Sequence, residues 1–320
     1  MSSISKDFLS TLNIVQYYFY RLILPIFLIF GTIGNVFNLI IFVQPYLRKS
    51  PCSIYLLVYT IISICWIDFI GLTSSLSIGY SIDISIQSTI ICRIRTYIIY
   101  VTINLLPELL ILVAFDRTCI SSRRLIIRQY STMKIAIYSI SCITFFWIIF
   151  NIPALIYTNI EQFPTGQFIC IPLPNNVFNE FIFVFFAISY GILPPCVLII
   201  FVFIILSNLL HYRNIILSVD NLCQYRPNKK EQQLIIMLLT QILITILCQI
   251  PSSIFQIYSV ITKNYDKSFE QILIESFIYN LFVFLLYLPS CLSFYVYLIA
   301  AKTFRYEVSR AIKKILFISH

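Results

Sequence analysis

The chain has 320 residues, of which 59% are hydrophobic and only 11% charged, with a formal net charge of +9 and a mean hydropathy of +0.90. Soluble domains carry about 25% charged residues, so a water-surrounded globule is excluded and lipid must be the solvent for much of this surface. The positive balance does not point to nucleic acid, because the cations sort to one side of the apolar runs.

Apolar runs of about 20 residues or more occur seven times, at roughly 21–43, 54–80, 90–120, 133–157, 178–210, 234–261 and 272–301. The expected fold class is an all-α membrane protein, a seven-transmembrane helix bundle. Sixteen Lys and Arg fall on one side of these runs and six on the other. The richer side is expected to be cytoplasmic, which leaves residues 1–20 as an extracellular N-terminus and puts the C-terminus inside. No basic, apolar, small-residue order precedes the first run, so the first span is expected to act as the targeting signal.

The third run opens on Cys92 and closes on Asp116-Arg117. Cys92 and Arg117 are 25 residues apart, or roughly 37 Å of helix, enough to cross a hydrocarbon core of about 30 Å with some tilt. Of the 10 cysteines, Cys92 and Cys170 fall near the outer face. An oxidising exterior permits a bridge between them; two free thiols are the alternative. Pro25, Pro107, Pro153, Pro194, Pro195, Pro251 and Pro289 punctuate the spans, and each removes a backbone hydrogen bond and invites a kink. Asp68 and Glu108 lie well inside spans, where a carboxyl is costly unless neutral or paired. After the seventh run, residues 302–320 read as a short amphipathic eighth helix and cytoplasmic tail. Phe304, Val308, Ala311, Ile312, Ile315 and Leu316 are on one face, and Arg305, Arg310, Lys313 and Lys314 on the other.

In this order and spacing the chain resembles a class A (rhodopsin-like) G-protein-coupled receptor from Gly34 to Phe317. Gly34-Asn35 resembles the family's first-span Gly-Asn step, and Asn35 would then bond neighbouring helices in the bundle core. Cys92 and Cys170 resemble its extracellular disulfide pair. Asp116-Arg117-Thr118 resembles the Asp-Arg-Tyr motif, with Thr in third place. Trp147 resembles the fourth-span tryptophan, Pro194 or Pro195 the fifth-span proline, and Pro251 the sixth-span proline. Ser293-Phe294-Tyr295-Val296-Tyr297 stands where Asn-Pro-x-x-Tyr is expected, and Phe304-Arg305 opens the eighth helix. Three departures stand out. Ser63 holds the second-span acidic position, with Leu106 and Pro289 at places that are often polar around it, which argues against a sodium-binding pocket. Gln249 replaces the sixth-span tryptophan. Ser293-Phe294 replaces Asn-Pro.

The resemblance implies a two-state bundle that couples an extracellular ligand to a heterotrimeric G protein. Asp116, Arg117, Tyr297, Pro251 and Gln249 would form the activation switch, and Asn35 and Ser63 the polar bundle core. The ligand pocket would draw on Tyr100, Asn104, Gln249, Ser253, Gln256, Tyr279 and Tyr287, with Ile99, Ile103, Ser252 and Val283 also facing inward. Ile99 stands where amine receptors carry an aspartate, and Tyr287 where opsins carry the retinal lysine. A peptide is the ligand by elimination, with invertebrate neuropeptide receptors the nearest resemblance. Arg123, Arg124, Arg128, Arg226, Lys229 and Lys230 could touch anionic lipid or the G protein, and plain topology accounts for them equally. The expected partners are therefore ligand, G protein and membrane lipid, with no nucleic acid and no cofactor. An enzyme is not expected: there are only two histidines, no His/Glu cluster for a metal and no Gly-rich phosphate loop. The competing readings are a receptor-like membrane protein that does not signal, separated by agonist-dependent G-protein activation, and a multi-span transporter, separated by ion flux.

Overall fold

A computed structural model describes residues 3–45, 48, 50–122, 124–162, 168–172, 184–185, 187–218, 229–262 and 265–318. Arg123, Arg226 and the expected start of the fifth span at Phe178 lie outside the described residues. Among them, seven helices are long and apolar enough to cross a membrane: α1 (Ser10–Phe42), α2 (Pro51–Tyr80), α3 (Thr89–Ser121), α4 (Met133–Tyr157), α5 (Ala187–Leu210), α6 (Gln232–Ile261) and α7 (Phe269–Ala300). The protein is an all-α seven-helix membrane bundle. Helical structure already begins at Ser3, so the segment ahead of the expected first span is itself helical.

Local chemistry sets the helix ends. Pro51 starts α2 at a position where a missing N–H costs nothing, and Ser81, in left-handed conformation at φ 56°, stops it. The Thr132 hydroxyl accepts the Ile135 N–H at the start of α4. Ser268 and Gln271 cap α7 reciprocally. After α7 the chain turns at Ala301 into α8 (Lys302–Ile318). Phe304, Val308 and Ala311 of α8 are buried, while Arg305, Tyr306 and Arg310 are exposed. Glu307 is buried on the apolar side, which the basic stripe in the sequence gave no reason to expect. Arg305 donates to the carbonyls of Leu298 (3.0 Å) and Ile299 (2.9 Å), a cation on the carbonyl end of α7.

The most buried element is α3, which packs against α2, α4, α5 and α6. Leu105, Leu109, Leu110, Val113 and Ala114 fill the bundle around it. Large apolar side chains such as Ile254, Phe203, Phe145 and Ile29 point outward, as lipid-facing surface requires. Small residues set the closest approaches. A Cβ at Gly79 of α2 would stand 2.8 Å from the backbone of Tyr20 and Arg21 in α1, and one at Gly34 of α1 would stand 2.9 Å from the Phe294 side chain of α7.

The spans accommodate their prolines in two ways. α3, α6 and α7 remain helical through Pro107, Pro251 and Pro289. Wider π-type turns cover Phe19–Ile23, just before Pro25, and Ala187–Ile192, just before Pro194-Pro195. A π turn relieves the clash of a proline ring with the preceding turn. A third π segment, Cys65–Gly71, has no proline beside it.

Candidate functional site

Cys92 at the start of α3 is bonded to Cys170, with Cα atoms 5.7 Å apart. Cys170 lies on β2 (Phe168–Pro172), which pairs antiparallel with β1 (Thr158–Gln162), Ile160 opposite Cys170. Arg93 donates from Nε to the Thr158 carbonyl at 3.0 Å. The hairpin is therefore tied to α3 both covalently and by a charged donor. This defines one end of the bundle.

At the opposite end of α3, Arg117 is 1% exposed and Asp116 3%. Arg117 donates to Asp116 Oδ2 from Nε (3.0 Å) and Nη2 (2.5 Å). The Ser131 hydroxyl, in the connection to α4, donates to Asp116 Oδ1 at 2.5 Å. A buried charge is tolerable only when paired and hydrogen-bonded, and here both carboxylate oxygens are engaged. Thr118 turns its hydroxyl back to the Ala114 carbonyl. Asn208 of α5 donates to the Ser121 hydroxyl at 3.2 Å. The start of α6 meets α8 where the Thr303 N–H donates to Gln233 Oε1 at 2.6 Å, joined by the Thr303 hydroxyl. Tyr297 is buried among Phe42 and Phe304, and its hydroxyl has no partner among the described residues.

Between the two ends lies a polar band. Asn35 donates to the carbonyls of Gly31 (2.9 Å) and Ser290 (3.0 Å), and Asn38 donates to Ser293 Oγ at 3.1 Å. Ser63 donates to Ser290 Oγ at 3.3 Å. Gln241 donates to the Tyr59 hydroxyl (3.1 Å) and the Pro289 carbonyl (2.9 Å). A cavity of about 40 Å³ sits here, lined by Tyr59, Trp66, Leu106, Gln249, Pro289 and Ser290 among others. By that measure it has room for a water molecule. Asp68, five residues beyond Ser63, is exposed on α2 and accepts from the Thr32 hydroxyl of α1, so no carboxylate lines the cavity. Glu108 is half-buried beside Pro107.

Gln249 has a local reason to be where it is. The Tyr190 carbonyl would bond the N–H four or five residues on, and those positions are Pro194 and Pro195, which have none. Gln249 Nε2 donates to that carbonyl at 2.5 Å. The wide turn before the prolines and the glutamine on α6 thus form one unit. Pro25 is four residues after Arg21, and the carbonyl of Arg21 is met by the Tyr80 hydroxyl at 3.4 Å.

Toward the disulfide end, the residues expected to face a ligand fall into two groups. On α3 and α6, Asn104, Gln249 and Ser253 are buried and Gln256 half-buried. Asn104 donates to the Tyr100 carbonyl at 2.7 Å, and Ser253 turns its hydroxyl to the Gln249 carbonyl. Asn104 Oδ1, Gln249 Oε1 and Gln256 Oε1 have no donor among the described residues. On α7, Tyr287 is buried, 5.1 Å from the Trp66 ring and with its hydroxyl 3.3 Å from Ser74 Oγ. Tyr279 is 51% exposed, its ring 6.1 Å from Phe255. Tyr100, on α3, is half-buried.

Reasoning from sequence missed Arg95, Trp66, Ser131, Gln233 and Gln241. Part of the signal was there. Gln241, Thr245, Gln249 and Ser253 recur every four residues, which places neighbours in the series one above the other along α6. Nothing local marks Ser131, whose partner is set by the path of the chain after α3.

Seven membrane-spanning helices, a hairpin disulfide-bonded to α3, and a buried Asp-Arg pair at the other end of that helix define a seven-helix receptor rather than an enzyme. Residues 34–297 match the family described as 7 transmembrane receptor (rhodopsin family), and the chain belongs to that family. No curated protein matches the sequence.

Proposed function

We propose that this protein is a plasma-membrane G-protein-coupled receptor, with its N-terminus and the Cys92–Cys170 hairpin outside and Arg117 and α8 at the cytoplasmic face. A ligand, a peptide by the exclusions at Ile99 and Tyr287, enters from the hairpin side against Tyr100, Asn104, Gln249, Ser253, Gln256, Tyr279 and Tyr287. It favours a second arrangement of the bundle in which the cytoplasmic ends of α5 and α6 move outward. Arg117 then leaves Asp116 and enters the cleft, where it meets a heterotrimeric G protein. Pro251 and Gln249 act in the bend of α6, and Tyr297 repacks against α8. Asn35 and Ser63 keep the middle of the bundle together through α7, and lipid covers the outward apolar surface. A bound ligand shifts such an equilibrium only by its differential affinity for the two arrangements.

The observation that carries this reading is the Asp116–Arg117–Ser131 arrangement: a fully buried ion pair at the end of the bundle away from the disulfide. A structural pair of this cost is better replaced by apolar residues unless its opening does something. The test is G-protein activation in cells expressing the wild type or Arg117→Ala, with a neuropeptide library applied. A response in the wild type that the surface-expressed mutant loses supports the reading. Equal responses from both proteins contradict the role given to Arg117.

A further inference from the structure

Arg95 sits on α3, six residues after the helix begins at Thr89, or about 9 Å inside the bundle from the disulfide end. Its guanidinium reaches across to α2. Nε donates to Thr73 Oγ1 at 3.0 Å and Nη2 to Ser74 Oγ at 3.3 Å. The same Ser74 hydroxyl is 3.3 Å from the Tyr287 hydroxyl of α7, and Arg95 lies within electrostatic range of both Tyr279 and Tyr287. Among the described residues, no carboxylate pairs with it. Three other cations toward this end are engaged elsewhere. Arg93 is held on the Thr158 carbonyl, Arg21 lies over the rings of Tyr17 and Tyr80, and Lys267 is paired with Glu275 at 2.7 Å.

A guanidinium carries five N–H donors and is always charged. Two of Arg95's are used, by neutral hydroxyls, and three remain. An intramembrane cation held this way is costly, and hydroxyls orient it without cancelling its charge. A planar carboxylate fits the free edge of such a group with two parallel bonds. Tyr279 is half exposed, which leaves it within reach of a reagent from outside the bundle.

We infer that Arg95, oriented by Thr73 and Ser74 and flanked by Tyr279 and Tyr287, is a ligand-binding residue that receives a carboxylate of the activating ligand. In a peptide that group is the free C-terminus or an acidic side chain near it. The ligand's amide N–H groups then have the undonated oxygens of Asn104, Gln249 and Gln256 to meet. The ligand assignment depends on the receptor reading above; the anion site itself does not.

The first arm of the test needs no ligand. Tyr279→Cys is introduced with Arg95 intact, with Arg95→Gln and with Arg95→Lys. Modification of that cysteine is followed in membranes with an anionic sulfonatoethyl and a cationic trimethylammonioethyl methanethiosulfonate, using peptide mass spectrometry to separate it from the native cysteines. The anionic-to-cationic rate ratio falls at least about tenfold on Arg95→Gln and is largely kept with Arg95→Lys. An unchanged ratio, or no modification by either reagent, overturns the site. The second arm applies one peptide panel, made with free C-terminal carboxylates and as C-terminal amides, to wild type and Arg95→Gln at equal surface expression. Activators come from peptides retaining a carboxylate and lose about tenfold or more in potency in the variant. Activation confined to peptides with no carboxylate overturns the ligand class. Silence of both series alongside the expected rate ratio leaves the anion site standing and counts against the receptor reading.

Discussion

Two arginines on one helix face opposite ends of the bundle under opposite terms. Arg117 is sealed from solvent against the carboxylate of its neighbour, which is itself held by Ser131. Arg95 is half-buried and held by two neutral hydroxyls of another helix. One charge is neutralised inside the protein; the other is oriented and left for something to neutralise. The difference assigns the two ends different work. On the reading proposed above, the Arg117 end stores a closed arrangement that a ligand opens, and the Arg95 end offers the binding capacity that the ligand fills.

The largest effect separates the two directly. Arg117→Ala leaves Asp116 as an uncompensated buried charge, which costs roughly 3–5 kcal/mol of bundle stability. Arg95→Ala removes two hydrogen bonds together with a costly unneutralised charge and leaves two hydroxyls with other partners available, so its net change stays within about 1 kcal/mol. Thermal unfolding of the purified variants in detergent checks the gap, and equal losses would erase the distinction. Next comes the junction between the ends. Gln249→Leu strands the Tyr190 carbonyl, which Pro194 and Pro195 cannot satisfy, at a cost of about 1–3 kcal/mol. Unfolding midpoints report it. A smaller effect is expected at the Arg117 end. Gln233→Ala removes the acceptor for Thr303, frees the start of α6 from α8 for about 1 kcal/mol, and raises ligand-independent signalling a few-fold. The smallest is Tyr297→Phe, whose hydroxyl has no partner among the described residues. Its stability should stay within about 0.5 kcal/mol of wild type, and a larger loss would mean that the hydroxyl is bonded in the resting bundle.

The fold could be read from the chain because the requirement behind it is local and long. A run of some 20 apolar residues has little to do but cross a bilayer as a helix, and seven such runs define the bundle. Asp116-Arg117 and Gly34-Asn35 could be read because their partners are near in sequence or stand at recurring places. The pairings across helices could not. Arg95 meets Thr73 and Ser74, more than 20 residues away on α2, and a composition count places it merely among the cations of its side. Gln249 looked like the loss of a tryptophan. Its purpose depends on a carbonyl in α5 freed by two prolines some 55 residues earlier. The π segment at Cys65–Gly71 has no proline to announce it. Such features depend on which helix faces sit together, and hydrophobic periodicity in a lipid-facing bundle is too weak to fix that.

Whether Asp116 holds Arg117 closed can be measured without a ligand. Basal G-protein activation is compared among wild type, Asp116→Asn and the double variant Asp116→Asn/Arg117→Ala at matched surface expression. A several-fold rise is expected in the single variant, because the neutral amide no longer restrains the guanidinium, and a return to background in the double. Basal activity equal to wild type in Asp116→Asn, or a double variant as active as the single, would contradict it.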